Sequence, residues 1–533
     1  MSIILPPSHQ TTITTRIFSH LKTNAESQQI NFDTVEKQPY NMPISLSELH
    51  LAIHKNLKNA SPGPDNIHAA MLKNLHPNSI LYLLSLFNAI LLQGVYPLPW
   101  KLAIILPFLK PAKNPSLPDS YRPIALTSVL GKLFQKILNK RLTWFLDFNN
   151  ILSHSQYGFR KNRNTLQALT DLQQQINNAV NKNSSLYTIF FDLQQAFPRV
   201  WRHYICQKLY LIGLRGNLPK LLQSFLYDRS IAVRIEDQLS SHQLVQNGVP
   251  QGEVWSVPLF LLAIDDIRTC VSFPLTQRLF ADDYSISLLS SNPHRAARLL
   301  QQTLDAISSW AADRGFRFTS DKTGLVIFRK HHRSISPLPT LYCQGFLINI
   351  LTHYKFLGLI FDQKLTWILH IKFLKAKCIN TINVLKYLSH PRLGCNRRLL
   401  LQLYRSLVRS QLDYGAPVYY QARKSTIKLL DTIQATSLRL SLGAFRTSPH
   451  LSLCAEAAEP PLLFRTLTLT ANFLASSAQI PELPIYDSIH STQNPLLLSL
   501  KTHLHYLPKL NPLLPVKSST PHGYSFPHLL DLT

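Results

Sequence analysis

The chain has 533 residues, 45% of them hydrophobic, which is enough apolar material for several cores and about two to four structural units. Its 55 Lys and Arg against 28 Asp and Glu leave a formal net charge of +27, a field that suits a polyanionic partner, nucleic acid foremost, with an acidic membrane surface or simple solubility as the alternatives. The six scattered cysteines, with no C-x-x-C pair, speak against a disulfide framework or zinc site, and an N-terminus broken at Pro6 and Pro7 is no signal peptide; an intracellular, reducing setting in nucleus or cytoplasm is expected.

Residues 1 to about 45 are polar and without periodicity, an arm or linker remnant. From Ile44 the pattern turns helical, with Ser45 or Ser47 as N-cap. Asn59 to Asp65 reads as a rigid turn leading into a helical run through Met71 and Leu75. The longest apolar stretch, Ile80 to Leu92, is too short to span a bilayer and is predicted to be a buried helix, so no membrane partner is expected. Ala103 to Pro107 reads as a strand. A basic, proline-punctuated loop carrying Lys110, Lys113 and Arg122 follows, then a helix from about Ser128 to Leu142. Cations on such a loop suit a triphosphate, Arg122 with bidentate geometry; a solvated loop is the alternative.

Gln156-Tyr157-Gly158-Phe159-Arg160-Lys161-Asn162-Arg163 interleaves aromatics with cations, a pattern suited to stacking on a nucleic-acid strand, although an exposed turn looks similar. Leu186 to Leu193 is a strand-forming apolar run that presents Asp192 at its exit. In Asn247 to Gly252, Gly248 and Gly252 permit close backbone approach to a ligand, with Gln251 as a hydrogen-bonder between them and an apolar helix after them. Phe280-Ala281-Asp282-Asp283 is a tight acidic turn between two strand-like runs. Leu325 to Phe328 and Tyr354 to Phe361 read as further strands. Beyond Ile371 the chain is helical, with Lys372, Lys375, Lys377, Lys386, Arg397, Arg398 and Arg405 among leucines, and the last fifty-odd residues are rich in proline and leucine and expected to be irregular.

Asp192 has no local counter-ion, and a divalent cation shared with Asp282, with Asp283 in support, supplies one. Such carboxylates plus substrate phosphates suit two-metal phosphoryl transfer, with Mg²⁺ ions about 3.5 to 4 Å apart, as in polymerases, nucleases and phosphatases. Lys110, Arg122 and Gln251 fit nucleotide selection better than strand scission.

Taken in order, these segments resemble the reverse transcriptases of non-LTR (LINE-type) retrotransposons, jockey and I-element groups, over roughly residues 45 to 460. The resemblance rests on Asn59 to Ile67, Ser120-Tyr121-Arg122-Pro123-Ile124 with Gly131-Lys132, Gln156 to Arg163, and Phe191-Asp192-Leu193 with Ala196-Phe197. It continues through Gly248 to Gly252, Phe280 to Asp283, Lys322-Thr323, and Phe356-Leu357-Gly358 with Trp367 and His370-Ile371. It implies an α+β fold, a right-hand polymerase of fingers, palm and thumb. The divisions would be an arm (1–45), fingers (46–185), palm with interleaved helices (186–370), a helical basic thumb (371–450), and a connector with an irregular tail (451–533). The reverse transcriptase domain would run from roughly 95 to 365.

The resemblance further implies catalytic Asp192, Asp282, Asp283 and Lys322, with two Mg²⁺ ions on Asp192 and Asp282, Mn²⁺ able to substitute. Deoxynucleotide contacts would be Lys110, Arg122, Phe197, Gln251 and Gly252, Phe197 screening against a 2′-hydroxyl. Gln156, Gly158, Phe159, Arg160 and Arg163 would lie along the template. The partners implied are an RNA template, a DNA primer and deoxynucleoside triphosphates. Leu442 to Pro449 and Glu459-Pro460-Pro461 look like a connector toward a ribonuclease H domain. The chain is read as the polymerase core of a truncated or fragmented element copy, working alone or with an endonuclease supplied in trans. Pro198, Asn66, Glu253, Trp255 and Val257 depart from the family pattern. Glu253 is expected to repel a triphosphate, and Trp255 to disturb helix packing. These departures motivate a second reading, a decayed copy that binds nucleic acid without polymerising.

Overall fold

The computed structural model describes residues 30–59, 61–111, 113–329, 338–390 and 394–487. Among these, 30–164, 185–327 and 338–351 gather into one compact unit, and 165–184, 328–329 and 352–487 into a second.

In the first unit the chain enters helix α1 (Leu46–Leu51) through a capping box: Glu48 N–H donates to Ser45 Oγ while Ser45 N–H donates to Glu48 Oε2. Of the two candidate caps, Ser45 is the one used. Helix α2 (Pro77–Gln93) buries Ile80, Leu83, Phe87, Ile90 and Leu91 but leaves Leu81, Tyr82, Leu86 and Leu92 exposed. The expected buried helix is present, and it is buried on one face. Ser128 caps helix α3 (Val129–Phe148), accepting from Gly131 N–H at 3.1 Å; the helix runs on to Phe148 rather than stopping at Leu142.

Two sheets frame this unit. The first has the order β2 (Tyr121–Leu126), β1 (Leu102–Leu109), β4 (Arg229–Ile235), β5 (Gln238–Leu239), with β6 (Gln243–Val245) also paired to β4. Arg122, expected on a loop, is instead in strand β2, opposite Phe108. Pro107 and Pro123 face each other in that ladder and mask its strand character; β2 is an edge strand, where proline is tolerated. The second sheet has the order β12 (Asn349–Leu351), β9 (Gly324–Phe328), β3 (Ser185–Phe191), β8 (Asp283–Ser290), β7 (Thr276–Phe280), while β10 (Tyr342–Cys343) and β11 (Phe346–Leu347) form a two-stranded pair. β3 is central and buried from Leu186 to Phe191, as its unbroken apolar run requires. Helix α4 (Pro293–Arg314), capped by Asn292, sends Leu300, Leu304, Ile307 and Trp310 into the core; its periodicity went unread in the sequence.

The second unit is chiefly helical: Thr165–Asn181, Ile368–Leu388, Lys424–Leu442 and Leu462–Ser477 are its long helices. The stretch expected as one strand around Gly358 is a hairpin, β13 (His353–Phe356) and β14 (Leu359–Asp362), turning where Leu357 and Gly358 both have positive φ. Two of the cations set among leucines are internally paired: buried Glu459 takes Arg405, together with Arg409, and Arg397 meets Glu456 at 2.6 Å. No helix among the described residues is long and apolar enough to cross a membrane. The expected irregular tail lies almost wholly outside the described residues.

Candidate active site

β7 and β8 pair from Thr276–Ser287 up to Phe280–Asp283, so the hairpin closes through two residues, Ala281 and Asp282. Ala281 sits at φ 57, the left-handed region that favours glycine, and is buried. Such a conformation costs an L residue about 1–2 kcal/mol and persists where its surroundings enforce it. On the other side of β8, Phe191 of β3 faces Tyr284, and the two rings stack at 5.1 Å. One step further along the register Asp192 comes level with Asp283, while Asp282 lies in the turn, where strand alternation no longer assigns a face. Strand β3 and the β7–β8 hairpin thus bring the three acids to one end of the sheet.

Asp192 is held from the segment before β9. Thr319 Oγ1 donates to Asp192 Oδ2 at 2.8 Å, Thr319 N–H donates to the Asp192 carbonyl at 2.9 Å, and Lys322 Nζ stands 3.3 Å from Oδ2. Thr319 went unread in the sequence because a hydroxyl 127 residues away from its partner leaves no local pattern. Asp282 and Asp283 are exposed, yet the protein mass around them disfavours their charged forms. Asp283 is pushed up to about 6 by desolvation first, then by Asp282 and Asp192; Asp282 is raised by desolvation and Asp192. Among the described residues no three His, Cys, Asp or Glu side chains close into a ready-made metal cage. Mutually repelling carboxylates with oxygen-only donors fit hard divalent cations that complete their coordination with phosphate and water.

The glycine turn is built differently. Gly248 has φ 81, and a Cβ there would meet the Pro198 carbonyl oxygen at 2.5 Å; Gly248 N–H and Val249 N–H donate to the Val200 and Phe197 carbonyls. The turn is therefore pressed onto residues 197–200. Phe197, half-buried, stacks on Phe260 at 4.4 Å. Buried Arg202 fixes the approach to the turn, donating to the Val245, Asn247 and Gly248 carbonyls at 2.6, 3.1 and 2.8 Å. A lone arginine opening a helix gave no signal of that role. Gln251 and Gly252 are exposed, and a Cβ on Gly252 would lie 3.4 Å from the Ala125 carbonyl, which sets the turn beside β2, the strand that carries exposed Arg122. Lys110 follows β1, its N–H donating to the Ser120 carbonyl at 2.8 Å.

Two expectations are overturned here. Glu253 does not face the turn's open side: it is 4% exposed, with Oε1 3.2 Å from Arg229 Nη2 and Oε2 accepting from Gln135 Nε2 at 2.9 Å. A buried carboxylate with a buried guanidinium partner adds no unpaired negative charge to a nucleotide site. Trp255, fully buried, does not disturb the packing; it fits edge-on against Phe225 and Phe134, with Tyr96 alongside at 5.6 Å.

The segment Gln156 to Arg163 also departs from its reading. Gln156 is fully buried, accepting through Oε1 from Gly158 N–H at 2.9 Å and Ala281 N–H at 3.1 Å. Gly158 is buried too, and a Cβ on it would lie 2.4 Å from the Ala281 nitrogen. Neither lines an open surface, because both pack beneath the acidic turn. Arg160 is largely buried and donates to the Leu152 and Ser153 carbonyls at 3.3 and 2.7 Å. Arg163 lies 5.9 Å from the Tyr157 ring centroid. Phe159, 61% exposed at φ 56, projects outward, and Lys161 and Asn162 are exposed as well.

Residues 110–361, which hold the sheet-end carboxylates and the glycine-bracketed turn, match the family of reverse transcriptases (RNA-dependent DNA polymerases). That match agrees with the motif resemblance to non-LTR retrotransposon enzymes. The chain is 29% identical to the probable RNA-directed DNA polymerase from transposon BS of Drosophila melanogaster, over 79% of this chain and 48% of that protein. It is 30% identical to the RNA-directed DNA polymerase from mobile element jockey of the same species, over 76% of this chain and 45% of the relative. With the probable polymerase from transposon X-element, also of that fly, it shares 30% identity over 75% and 44%. The chain thus spans about half the length of these relatives.

Proposed function

We propose that the chain is an RNA-directed DNA polymerase that extends a DNA primer along an RNA template. The carrying observation is the convergence of Asp192, Asp282 and Asp283 at one sheet end inside a stretch of reverse transcriptase sequence. On this reading the primer 3′-hydroxyl attacks the α-phosphate of a deoxynucleoside triphosphate and pyrophosphate leaves. Two Mg²⁺ ions held by Asp192 and Asp282 would supply the positive charge that activates the hydroxyl and steadies the leaving group. Lys322, 3.3 Å from Asp192, would be the cation that meets leaving-group charge, and Lys110 and Arg122 serve the triphosphate. Gln251 and Gly252 meet the nucleotide, with Phe197 beneath its sugar, and Phe159 and Arg163 lie toward the template. The corresponding anatomy is fingers over 46–185, palm over 186–370 and a helical thumb over 371–450. With Glu253 turned inward, one motive for an inactive, binding-only copy is gone.

Primer extension on RNA with Mg²⁺ or Mn²⁺ and all four deoxynucleotides tests the reading, with Asp282→Ala as control. Extension that vanishes in the variant while template affinity persists is the expected result. Folded wild-type protein that binds template yet extends nothing would overturn it.

A further inference from the structure

We propose that Gln156 is a positioning residue for the acidic turn rather than a reader of the template, a role that rests on the polymerase reading of that turn. Four observations converge on it. The side chain is fully buried, and its single acceptor oxygen takes both the Gly158 N–H, at 2.9 Å, and the Ala281 N–H, at 3.1 Å. Ala281 is itself buried and left-handed, so its N–H has no route to water, and its strained φ needs an outside constraint. The main chain on either side of Gln156 is tied to the same strand: Tyr157 N–H donates to the Leu279 carbonyl at 2.8 Å and Leu279 N–H to the Ser155 carbonyl at 3.0 Å. Gly158 approaches so closely that a Cβ would stand 2.4 Å from the Ala281 nitrogen.

The residue pinned in this way immediately precedes Asp282. A free turn carrying Asp282, next to the like-charged Asp283 that opens β8, would relax away from Asp192; the clamp fixes the backbone from which both project. Misplacement of reacting groups by about 1 Å costs on the order of a hundredfold in rate. Gln156 Nε2 has no hydrogen-bond partner, so Gln156→Met removes the acceptor and little else.

The test compares wild type with Gln156→Met and Gly158→Ala. Readouts are kcat at saturating template and nucleotide, KM for the nucleotide, Kd for the template–primer, thermal midpoint, and amide hydrogen exchange at Ala281. The expected result is a 10- to 100-fold fall in kcat, Kd and KM within about twofold of wild type by the same reasoning, and loss of Ala281 amide protection. Gln156→Glu, which keeps an acceptor oxygen, retains that protection. Weakened template–primer binding with kcat intact would overturn the proposal in favour of a template reader. So would an Ala281 amide that exchanges in wild type like an open turn, a measurement available even if the variants do not fold. If wild type extends no primer, the polymerase reading fails, and the Ala281 exchange data still decide whether the clamp exists.

Discussion

Two groups of carboxylates in the first unit have opposite surroundings. Glu253 is enclosed, and the protein supplies everything its charge needs: the Arg229 guanidinium on one oxygen and the Gln135 amide on the other. Asp192, Asp282 and Asp283 are crowded at a sheet end, where desolvation and Asp192 raise Asp282, desolvation, Asp282 and Asp192 raise Asp283, and the largely exposed Lys322 stands 3.3 Å from Asp192. A carboxylate that the fold neutralises is architectural; carboxylates that the fold leaves in mutual repulsion are poised to receive charge from outside. The second unit shows a third solution in His370, which is buried with its Nδ1 accepting from Ile360 N–H at 3.4 Å and is held uncharged, its pKa lowered to about 4 by desolvation and then by Lys355.

The sharpest way to break this comparison is Asp192→Ala. If the sheet-end acids work on outside charge, extension should fall by about a thousandfold or more, on the order of 4 kcal/mol of transition-state stabilisation, with template–primer affinity retained. Extension rates and binding titrations on the folded variant check it. Glu253→Ser probes the opposite case. Stranding the Arg229 guanidinium should lower unfolding free energy by about 3–5 kcal/mol in denaturant titrations, without the gain in nucleotide affinity that a repulsive carboxylate would give on removal.

His370 sharpens the comparison through pH. Its folded pKa lies below the unfolded value, so the unfolded chain binds the extra proton between about pH 6.5 and 4, and stability of the second unit falls as pH drops through that window. The full loss is on the order of 3 kcal/mol, and His370→Phe should flatten the profile measured by thermal unfolding. The smallest expected effect is Gly252→Ala. Gly252 sits at φ 89 with ordinary space for a Cβ, so strain alone, about 1 kcal/mol, should appear as a severalfold rise in nucleotide KM.

Local pattern made much of the fold legible. Ser45 and Ser128 announced helix starts, the apolar run before Asp192 announced a buried strand, and Phe280 to Asp283 announced a hairpin tip. Where the sequence misled, long-range partners had decided. Arg122 reads as loop because Pro107 and Pro123 mask a ladder that exists only once the two strands pair. Arg160 reads as a cation for nucleic acid, but carbonyls of Leu152 and Ser153 engage it.

Residue types and their order by themselves grouped three aspartates, a glycine turn and a set of cations into one proposed nucleotidyl-transfer chemistry, because hard cations and phosphates demand those donors wherever they lie in the chain. The tertiary structure alone decided which polar groups remain available for that chemistry. Arg229 lies 24 residues from Glu253 and Gln156 lies 125 from Ala281, and burial turned each of these pairings inward. Whether a charge is neutralised within the protein depends on what packs against it in space, which no local run of residues encodes.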